Sequence, residues 1–170
     1  RDEALFHIMY YCALRVSEVT LLKLTNYNPI NGTIYCERLK NGINNTIKLN
    51  KHTNTLLKKH LKINKPTTYL FETEKGKAIH RKTIDLLIKK YCLFMYLPSD
   101  LAHCHTLRHT RAIQLAESGC DLKELQYWLG HRDIQNTLIY FRFTHAQQVL
   151  LYKKIQKNDN AIYKNTKNRF

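Results

Sequence analysis

The apolar residues of this chain recur mostly at helical spacing, and few residues interrupt them. The clearest stripe joins Ile84, Leu87, Ile88 and Tyr91, which fall on one face of a helix. Only five glycines and three prolines occur among the 170 residues, and they lie between such segments. The same spacing predicts further helices, over about residues 3–14, 17–24, 52–63, 106–118, 122–129, 134–141 and 145–156.

Residues that favour helix ends delimit several of these segments. Ser17 is a favourable N-cap, and Asp121 with Glu124 resembles a capping box. Gly119 and Gly130 are typical of the position that follows a helix.

One short region favours strands instead. Residues 33–37 and 45–49 have the composition of strands, and Lys40-Asn41-Gly42 between them is a strong turn signal. Residues 69–71 form a short apolar run that is a candidate third strand. The sequence therefore predicts an α+β, mainly helical fold with a small antiparallel β-sheet near the N-terminal third.

The net charge indicates what kind of partner the chain binds. Lys plus Arg number 28 and Asp plus Glu number 13, which gives a formal charge of +15. This excess favours a polyanionic partner, most often nucleic acid. The simpler alternative is a basic protein from an A+T-rich genome, where Lys and Asn codons are common.

Several classes of protein are excluded. No apolar run approaches the roughly 20 residues that span a bilayer, and the opening RDEALF lacks the basic region of a secretory signal. Five cysteines, an odd number without a CxxC motif, favour free thiols in a reducing cytosol, and hence a cytoplasmic protein. His103-Cys104-His105 lacks the further ligands of a structural zinc site. Neither a P-loop nor GxGxxG occurs, so nothing favours a nucleotide-binding or redox enzyme.

Four positions carry residues that suit an anionic ligand. His105 and Arg108 lie three apart at a predicted helix start, so a titratable ring and a cation share one face. Arg15 ends an apolar helix, where a partly buried guanidinium needs an acidic partner or an anionic ligand. Glu18 is the internal partner available, and both alternatives stay open. Lys40 at the hairpin tip either reaches a ligand or is a solvated turn residue.

Two further polar residues follow. His131 occupies the turn between two predicted helices, and Tyr140 lies in the second of them. At about 100° per residue, Tyr140 falls about 120° from the start of the apolar stripe of Ile134, Leu138 and Phe141. Its hydroxyl is then presented away from the core. The alternative, in a chain with 11 tyrosines, is a boundary residue that packs its ring.

Taken one at a time these residues are weak indicators, but their order and spacing along the chain are specific. ALRVSE contains Arg15, Lys40 follows 25 residues later, HTLRHT contains Arg108, and LGHRDIQNTLIY ends at Tyr140. The three stretches resemble the GLRxSE, H-x-L-R-H and LGH-x8-Y boxes of the tyrosine recombinase (phage integrase) family. The resemblance covers about residues 3–150 and implies the catalytic-domain fold of that family.

The resemblance implies a role for each matching residue. Tyr140 corresponds to the nucleophile, which forms a 3′-phosphotyrosyl intermediate with DNA. Arg15 and Arg108 correspond to the arginines that hold the non-bridging oxygens of the scissile phosphate. Lys40 corresponds to the general acid that protonates the leaving 5′-oxygen. In this chemistry guanidiniums stabilise the charge that develops on the phosphate, so no metal or other cofactor is implied.

Three supporting residues are carried over in the same way. His105 corresponds to a general base or orienting residue, His131 to a residue that hydrogen-bonds the phosphate, and Glu18 to an acidic residue that braces Arg15. The family's lysine turn is rich in glycine, whereas this one reads RLKNGINN, so Lys48 competes with Lys40.

Two other departures from the family's pattern remain. Ala13 stands where the family has the first glycine of GLR, and Tyr140-Phe141-Arg142 replaces the family's YTH.

The implied function is that of a site-specific recombinase or integrase that cuts and rejoins double-stranded DNA, with other protomers in a tetrameric synapse. A type IB topoisomerase, a telomere resolvase and a non-cleaving DNA-binding regulator are the alternatives. We expect residues 1–157 to form the catalytic domain and residues 158–170 a polar tail, with an N-terminal DNA-binding arm absent from this chain. The use of Tyr140 in its own site or a neighbour's stays open.

Overall fold

The computed structural model describes residues 1–141 and 152–158, which are mainly helical. Residues 152–158 are themselves helical, whereas the rest of the helix predicted over 145–156 lies outside the described residues. The other helices are α1 (Asp2–Tyr11), α2 (Val16–Thr20), α3 (Lys51–Asn64), α4 (Arg81–Phe94), α5 (Cys104–Glu117), α6 (Leu122–Leu129) and α7 (Gln135–Leu138).

A small antiparallel sheet follows α2, as predicted. Its strands, in spatial order, are β1 (Tyr27–Asn28), β2 (Thr33–Cys36) and β3 (Asn45–Lys48). The third strand is therefore Tyr27–Asn28, and the prediction of a strand at 69–71 was wrong. Tyr69 forms only an isolated bridge with Lys23, because the pairing changes partner within the segment. The Leu70 N–H donates to the Leu22 carbonyl at 2.8 Å, whereas the Phe71 carbonyl accepts from the Ile79 N–H at 2.9 Å.

Several of the predicted helix ends differ from the structure. The helix predicted over 3–14 ends at Tyr11, so Arg15 does not end it, and the helix predicted over 17–24 ends at Thr20. Helix α2 is capped at Arg15 instead of Ser17, because the Glu18 carboxylate accepts the Arg15 N–H at 2.8 Å. Helix α7 ends at Leu138 and buries Thr137, whereas Leu138 is 42% exposed. A hydrogen bond of 2.9 Å between Thr137 and His131 holds this face inward, which hydrophobic spacing does not predict.

The other end signals are confirmed. Asp121 and Glu124 form a capping box at α6, with both hydrogen bonds at 2.8 Å. Gly130 ends α6 in the left-handed region at φ 64°. Lys40 and Asn41 form the hairpin turn, with φ of 56° and 58°.

The apolar side chains form two cores. The larger lies beneath α1, the sheet, α3 and α4, with Leu5, Ile34, Leu57 and Ile84 fully buried. The smaller lies between α5 and α6 and consists of Ala13, Ala112, Leu115, Ala116, Leu125 and Leu129. Each fully buried leucine or isoleucine contributes about 1.5–3 kcal/mol.

The two cores meet where α1 ends. Trp128 packs against both, and its indole N–H donates to the Tyr11 carbonyl at 2.9 Å. The Arg111 guanidinium of α5 lies over the same rings, 4.8 Å from the Tyr11 centroid and 5.5 Å from that of Trp128. The end of α1 is therefore held against both α5 and α6.

In the described part of the chain, no helix combines the length and the apolar character required to cross a membrane.

Substitutions at two glycines, Gly119 and Gly130, distinguish the cost of backbone strain from the cost of a steric clash. A Cβ on Gly130 would lie 2.6 Å from the Cγ of Arg38, whereas one on Gly119, at φ 95°, would meet nothing within 4 Å. We expect Gly119→Ala to destabilise by about 1–2 kcal/mol through left-handed strain alone. Gly130→Ala should destabilise more, because it also displaces buried Arg38. Urea unfolding of both variants tests this, and equal losses would contradict it.

Candidate active site

The carboxylate of Glu18, which is 2% exposed, lies at the centre of a buried cluster of charges. Its Oε1 accepts from Arg15 Nη1 at 2.7 Å and from the Leu39 N–H at 3.2 Å. Its Oε2 accepts from the Arg15 N–H at 2.8 Å and from Arg38 Nη1 at 3.2 Å, and Arg108 Nη1 lies 3.8 Å away. Glu18, Arg15, Arg38 and Arg108 are called the arginine–glutamate cluster below.

Glu18 remains ionised in this setting. Burial raises its pKa, but the Arg15 N–H and the charge of Arg38 outweigh burial, so the pKa lies below its ordinary value. Three guanidiniums thus share a single carboxylate, and the cluster retains an excess of positive charge.

Arg38 was missed by the sequence analysis. Its side chain is fully buried at the start of the hairpin turn, where it donates to Asn45 Oδ1 at 3.1 Å and to the carbonyls of Cys12 and Trp128 at 3.3 and 2.7 Å. An arginine directly after the strand residues TIYCE looks solvent-exposed in sequence, and no local signal reveals its partners in α2, after α1 and in α6.

Arg108 lies in the first turns of α5 and is 3% exposed. It donates to the carbonyl of Ala13 and to that of Leu129, the latter at 2.9 Å. Burial and the neighbouring Arg15 lower the pKa of Arg108 to about 10, so it stays charged at neutral pH.

Arg38 and Arg108 together satisfy the carbonyls at the ends of two helices. Cys12 and Ala13 follow α1, and Trp128 and Leu129 are the last residues of α6. Helix C-termini leave carbonyls without intrahelical partners and carry partial negative charge. These ends therefore stabilise buried guanidiniums and fix them in place.

Ala13 shows the effect of one departure from the family's pattern. Its φ is 49°, in the left-handed region that favours glycine. The substitution of Ala for the family's Gly therefore introduces strain next to the carbonyl that accepts from Arg108.

His131 is neutral and fixed in one tautomer. Burial and the charge of Arg108 lower its pKa to about 4. Arg108 Nη2 donates to Nε2 at 2.9 Å, so the ring proton is on Nδ1, which faces Thr137 Oγ1 at 2.9 Å. His131 thus orients Arg108 in this structure, and its Nε2 is an acceptor.

Tyr140 lies beside the cluster of its own chain. Its hydroxyl hydrogen-bonds Nδ1 of His109 at 2.8 Å. Burial raises the pKa of Tyr140, while the charges of Arg108 and Arg15 act in the opposite direction. His105 lies one helical turn before His109, with ring centroids 6.1 Å apart. The sequence offered two signals for His109. It follows His105 by four residues on the same helix face, and it is the last residue of the matched H-x-L-R-H box.

Lys40 and Lys48 occupy opposite ends of the hairpin. Lys40 is exposed and follows Leu39, whose N–H binds Glu18. Lys48 pairs in register with Thr33, and its ammonium donates to the Asn31 carbonyl. At about 3.3 Å per residue, Lys48 lies about 10 Å along β3 from Asn45. The hairpin therefore places Lys40, and not Lys48, at the end next to the cluster.

His103, Cys104 and His105 do not form a metal site. Over residues 1–141 and 152–158, no group of three or more His, Cys, Asp and Glu side chains is arranged to hold a metal ion.

Comparison with known proteins agrees with the geometry. The family model described as "Phage integrase family" matches residues 1–147. The chain belongs to this family. Its matched region contains the arginine–glutamate cluster together with His109, His131 and Tyr140.

Relatives of known sequence and structure lie in the same family. The chain is 31% identical over 155 residues to "Tyrosine recombinase XerC" of Roseiflexus sp. (strain RS-1), a match that covers 86% of the chain and 49% of the relative. It is 33% identical to a XerC of Pseudomonas fluorescens, with coverage of 89% and 51%. The chain therefore spans about half the length of these curated relatives.

Solved structures show the same fold. The crystal structure of XerA recombinase superposes with a TM-score of 0.76 at 21% identity, covering 90% of this chain and 55% of XerA. XerH recombinase bound to its difH substrate gives a TM-score of 0.73 at 25% identity, covering 84% and 43%. The prediction of a tyrosine recombinase catalytic-domain fold is confirmed.

Replacing Glu18 tests the central role of its carboxylate. Glu18→Gln keeps the shape but leaves three guanidiniums without a counter-charge, and we expect a loss of about 3–5 kcal/mol in unfolding free energy at pH 7. Because the pKa of Glu18 is lowered on folding, its contribution is complete above the ordinary carboxyl pKa and is lost as the pH falls through the lowered value.

Unfolding of the wild type and of Glu18→Gln between pH 7 and pH 3 measures the difference in their free energies of unfolding. This difference should become smaller as the pH falls. Glu117→Gln, at an exposed position of α5, is the matched control and should leave stability unchanged. A Glu18→Gln protein as stable as the control at pH 7 would contradict the expectation.

Proposed function

We propose that this chain is the catalytic part of a site-specific DNA recombinase, in which Tyr140 attacks a DNA phosphodiester. The observation that supports it is a cluster of three guanidiniums, two of them buried, around one buried carboxylate and next to a tyrosine hydroxyl. Such a cluster has a surplus of fixed positive charge and suits a phosphate group. The formal charge of +15 suits the surrounding duplex.

The proposed reaction is an exchange of esters. Tyr140 Oη forms a bond to phosphorus as the bond from phosphorus to the 5′-oxygen breaks. Arg15 and Arg108 stabilise the charge on the non-bridging oxygens, and the Lys40 ammonium gives its proton to the leaving 5′-oxygen. The phosphotyrosine retains the bond energy, so a 5′-hydroxyl can reverse the reaction and rejoin a strand without ATP.

The other residues act by placing these groups. Glu18 braces Arg15, and Arg38 braces Glu18. His131 orients Arg108 in the free protein, and a direct hydrogen bond from its Nε2 to the phosphate requires a change of tautomer. His105, whose pKa is lowered by burial and by the charges of His109 and Arg108, lies near enough to the arginines to assist at the phosphate.

The proposal includes the setting of the reaction. The substrate is double-stranded DNA, the working assembly is a tetramer of protomers on two duplexes, and the compartment is the cytoplasm. Residues 1–157 form the catalytic domain, with 158–170 as a tail. XerH, one of the similar structures, is described as bound to its difH substrate in a pre-cleavage complex, which supports DNA as the partner.

Covalent trapping tests the nucleophile. The chain is mixed with nicked duplexes that carry randomised sites, denatured, and analysed for a protein–DNA adduct whose DNA is then sequenced. We expect an adduct with the wild type and none with Tyr140→Phe, since the phenyl ring has no oxygen to form the ester. Tyr127→Phe, which removes an exposed hydroxyl bound to the Thr46 carbonyl, is the control and should retain the adduct.

Other outcomes of this experiment favour the alternatives. Salt-sensitive DNA binding without any adduct would favour a non-cleaving regulator. An adduct that relaxes supercoiled plasmid without exchange between duplexes would favour a topoisomerase-like activity.

A modified substrate distinguishes Lys40 from Lys48. We expect Lys40→Ala to slow cleavage about 10²–10⁴-fold, the usual range for a lost general acid. A 5′-bridging phosphorothiolate should restore its rate, because a thiolate leaves without a proton. Lys48→Ala, changed at the far end of the same hairpin, should cleave both substrates like the wild type. A Lys40→Ala defect that the sulfur substrate leaves unchanged would contradict the role of general acid.

A further inference from the structure

The hydroxyl of Tyr140 faces a histidine that the sequence analysis assigned no role. His109 Nδ1 lies 2.8 Å from Tyr140 Oη, and the two ring centroids are 5.7 Å apart. We propose that His109 is a catalytic residue, the base that takes the phenolic proton of Tyr140 as the phosphotyrosyl bond forms. This inference rests on the proposed function, because it concerns the same reaction.

Of the histidines near the site that the structure describes, the geometry favours His109. Both ring nitrogens of His131 are engaged, by Arg108 and Thr137. His105 lies one turn earlier on α5, and its ring contacts that of His109 instead of bonding the phenol. His109 directly follows Arg108, whose bonds to α1 and α6 fix this turn of the helix and therefore the position of Nδ1.

His109 is in the correct state to accept a proton. Burial, followed by the charges of Arg108 and His103, lowers its pKa, so the ring is neutral at pH 7. Among residues 1–141 and 152–158, the groups that face or surround it are Tyr140 from the α7 side and Arg108, His103 and His105 from α5 and its start. A neutral ring with its proton on Nε2 leaves Nδ1 free to accept from the phenol.

The proton balance of the step is complete. The Tyr140 proton moves to His109 Nδ1, the bond from Oη to phosphorus forms, and the bond from phosphorus to O5′ breaks. The 5′-oxygen receives its proton from Lys40. His109 is only partly covered and keeps contact with solvent, so the proton that its ring gains can exchange with water, and the same path runs in reverse when the strand is rejoined.

A conservative variant separates proton acceptance from hydrogen bonding. In His109→Asn the amide oxygen stands close to the place of Nδ1 and can accept a hydrogen bond, but it cannot take a proton. We expect adduct formation at pH 7 to fall about 100-fold or more. The rate should recover as the pH rises toward the pKa of the Tyr140 phenol, which burial raises above its ordinary value. The 5′-phosphorothiolate should not restore it, because the defect lies at the nucleophile.

The pH profile supplies a readout that a purely structural role would not move. For wild type on the sulfur substrate, the rate should fall with acid as the pH drops through the lowered pKa of His109. His109→Asn should lose this acid limb, whereas His105→Asn should retain it. His52→Asn, at an exposed position of α3 that contacts His7, is the matched control and should behave like wild type.

A measurement without DNA keeps the inference independent of the target sequence. With ¹³Cζ-labelled tyrosine, the NMR signal of Tyr140, assigned with Tyr140→Phe, should shift as His109 titrates and lose this dependence in His109→Asn. No adduct from the wild type, with this coupling intact, would overturn the proposed function and leave the contact standing. A wild-type adduct combined with normal cleavage and an unchanged acid limb in His109→Asn would overturn the role of His109 alone.

Discussion

The site depends on the contacts that the Glu18 carboxylate makes with the surrounding arginines. Arg15, Arg38 and the Leu39 N–H bind it directly, and Arg108 lies within 4 Å, so one anion sets the positions of residues from the end of α1, the hairpin and α5. Removing two of those guanidiniums from water is costly unless every donor finds a partner. The helix-end carbonyls supply the remaining partners, and this is why the cluster lies where two helices terminate.

The hydrogen bonds from Arg38 and Arg108 to helix-end carbonyls serve both the fold and the site. Arg38 and Arg108 each donate to one carbonyl after α1 and one in the last turn of α6, so the same bonds that hold the two cores together aim the guanidiniums. Gly130 permits this arrangement because its missing Cβ leaves room for Arg38. The fold and the site are therefore stabilised by shared interactions.

The sequence predicted those features that depend on interactions between near neighbours in the chain. The capping box at Asp121, the left-handed Gly130 and the turn at Lys40 depend on near neighbours in sequence and were found. Ser17 failed as a cap because Glu18 makes the stronger, charge-assisted bond. Residues 69–71 failed as a strand because their backbone pairs first with Leu22 and then with Ile79, so no continuous ladder forms. Arg38 was missed, and His109 was quoted within HTLRHT but given no role, because their decisive partners lie far away in sequence and only the packing of the helices brings them together.

The arginine–glutamate cluster contains three positive charges and one negative charge, so part of its positive charge has no counter-ion within the cluster. A phosphate diester placed there acts as the missing counter-ion, so binding and folding become thermodynamically linked. A ligand that binds only the folded state adds about 2.7 kcal/mol to its stability at 100 times its dissociation constant. Under the proposed function, the DNA phosphate would therefore stabilise the folded domain as well as serve as its substrate.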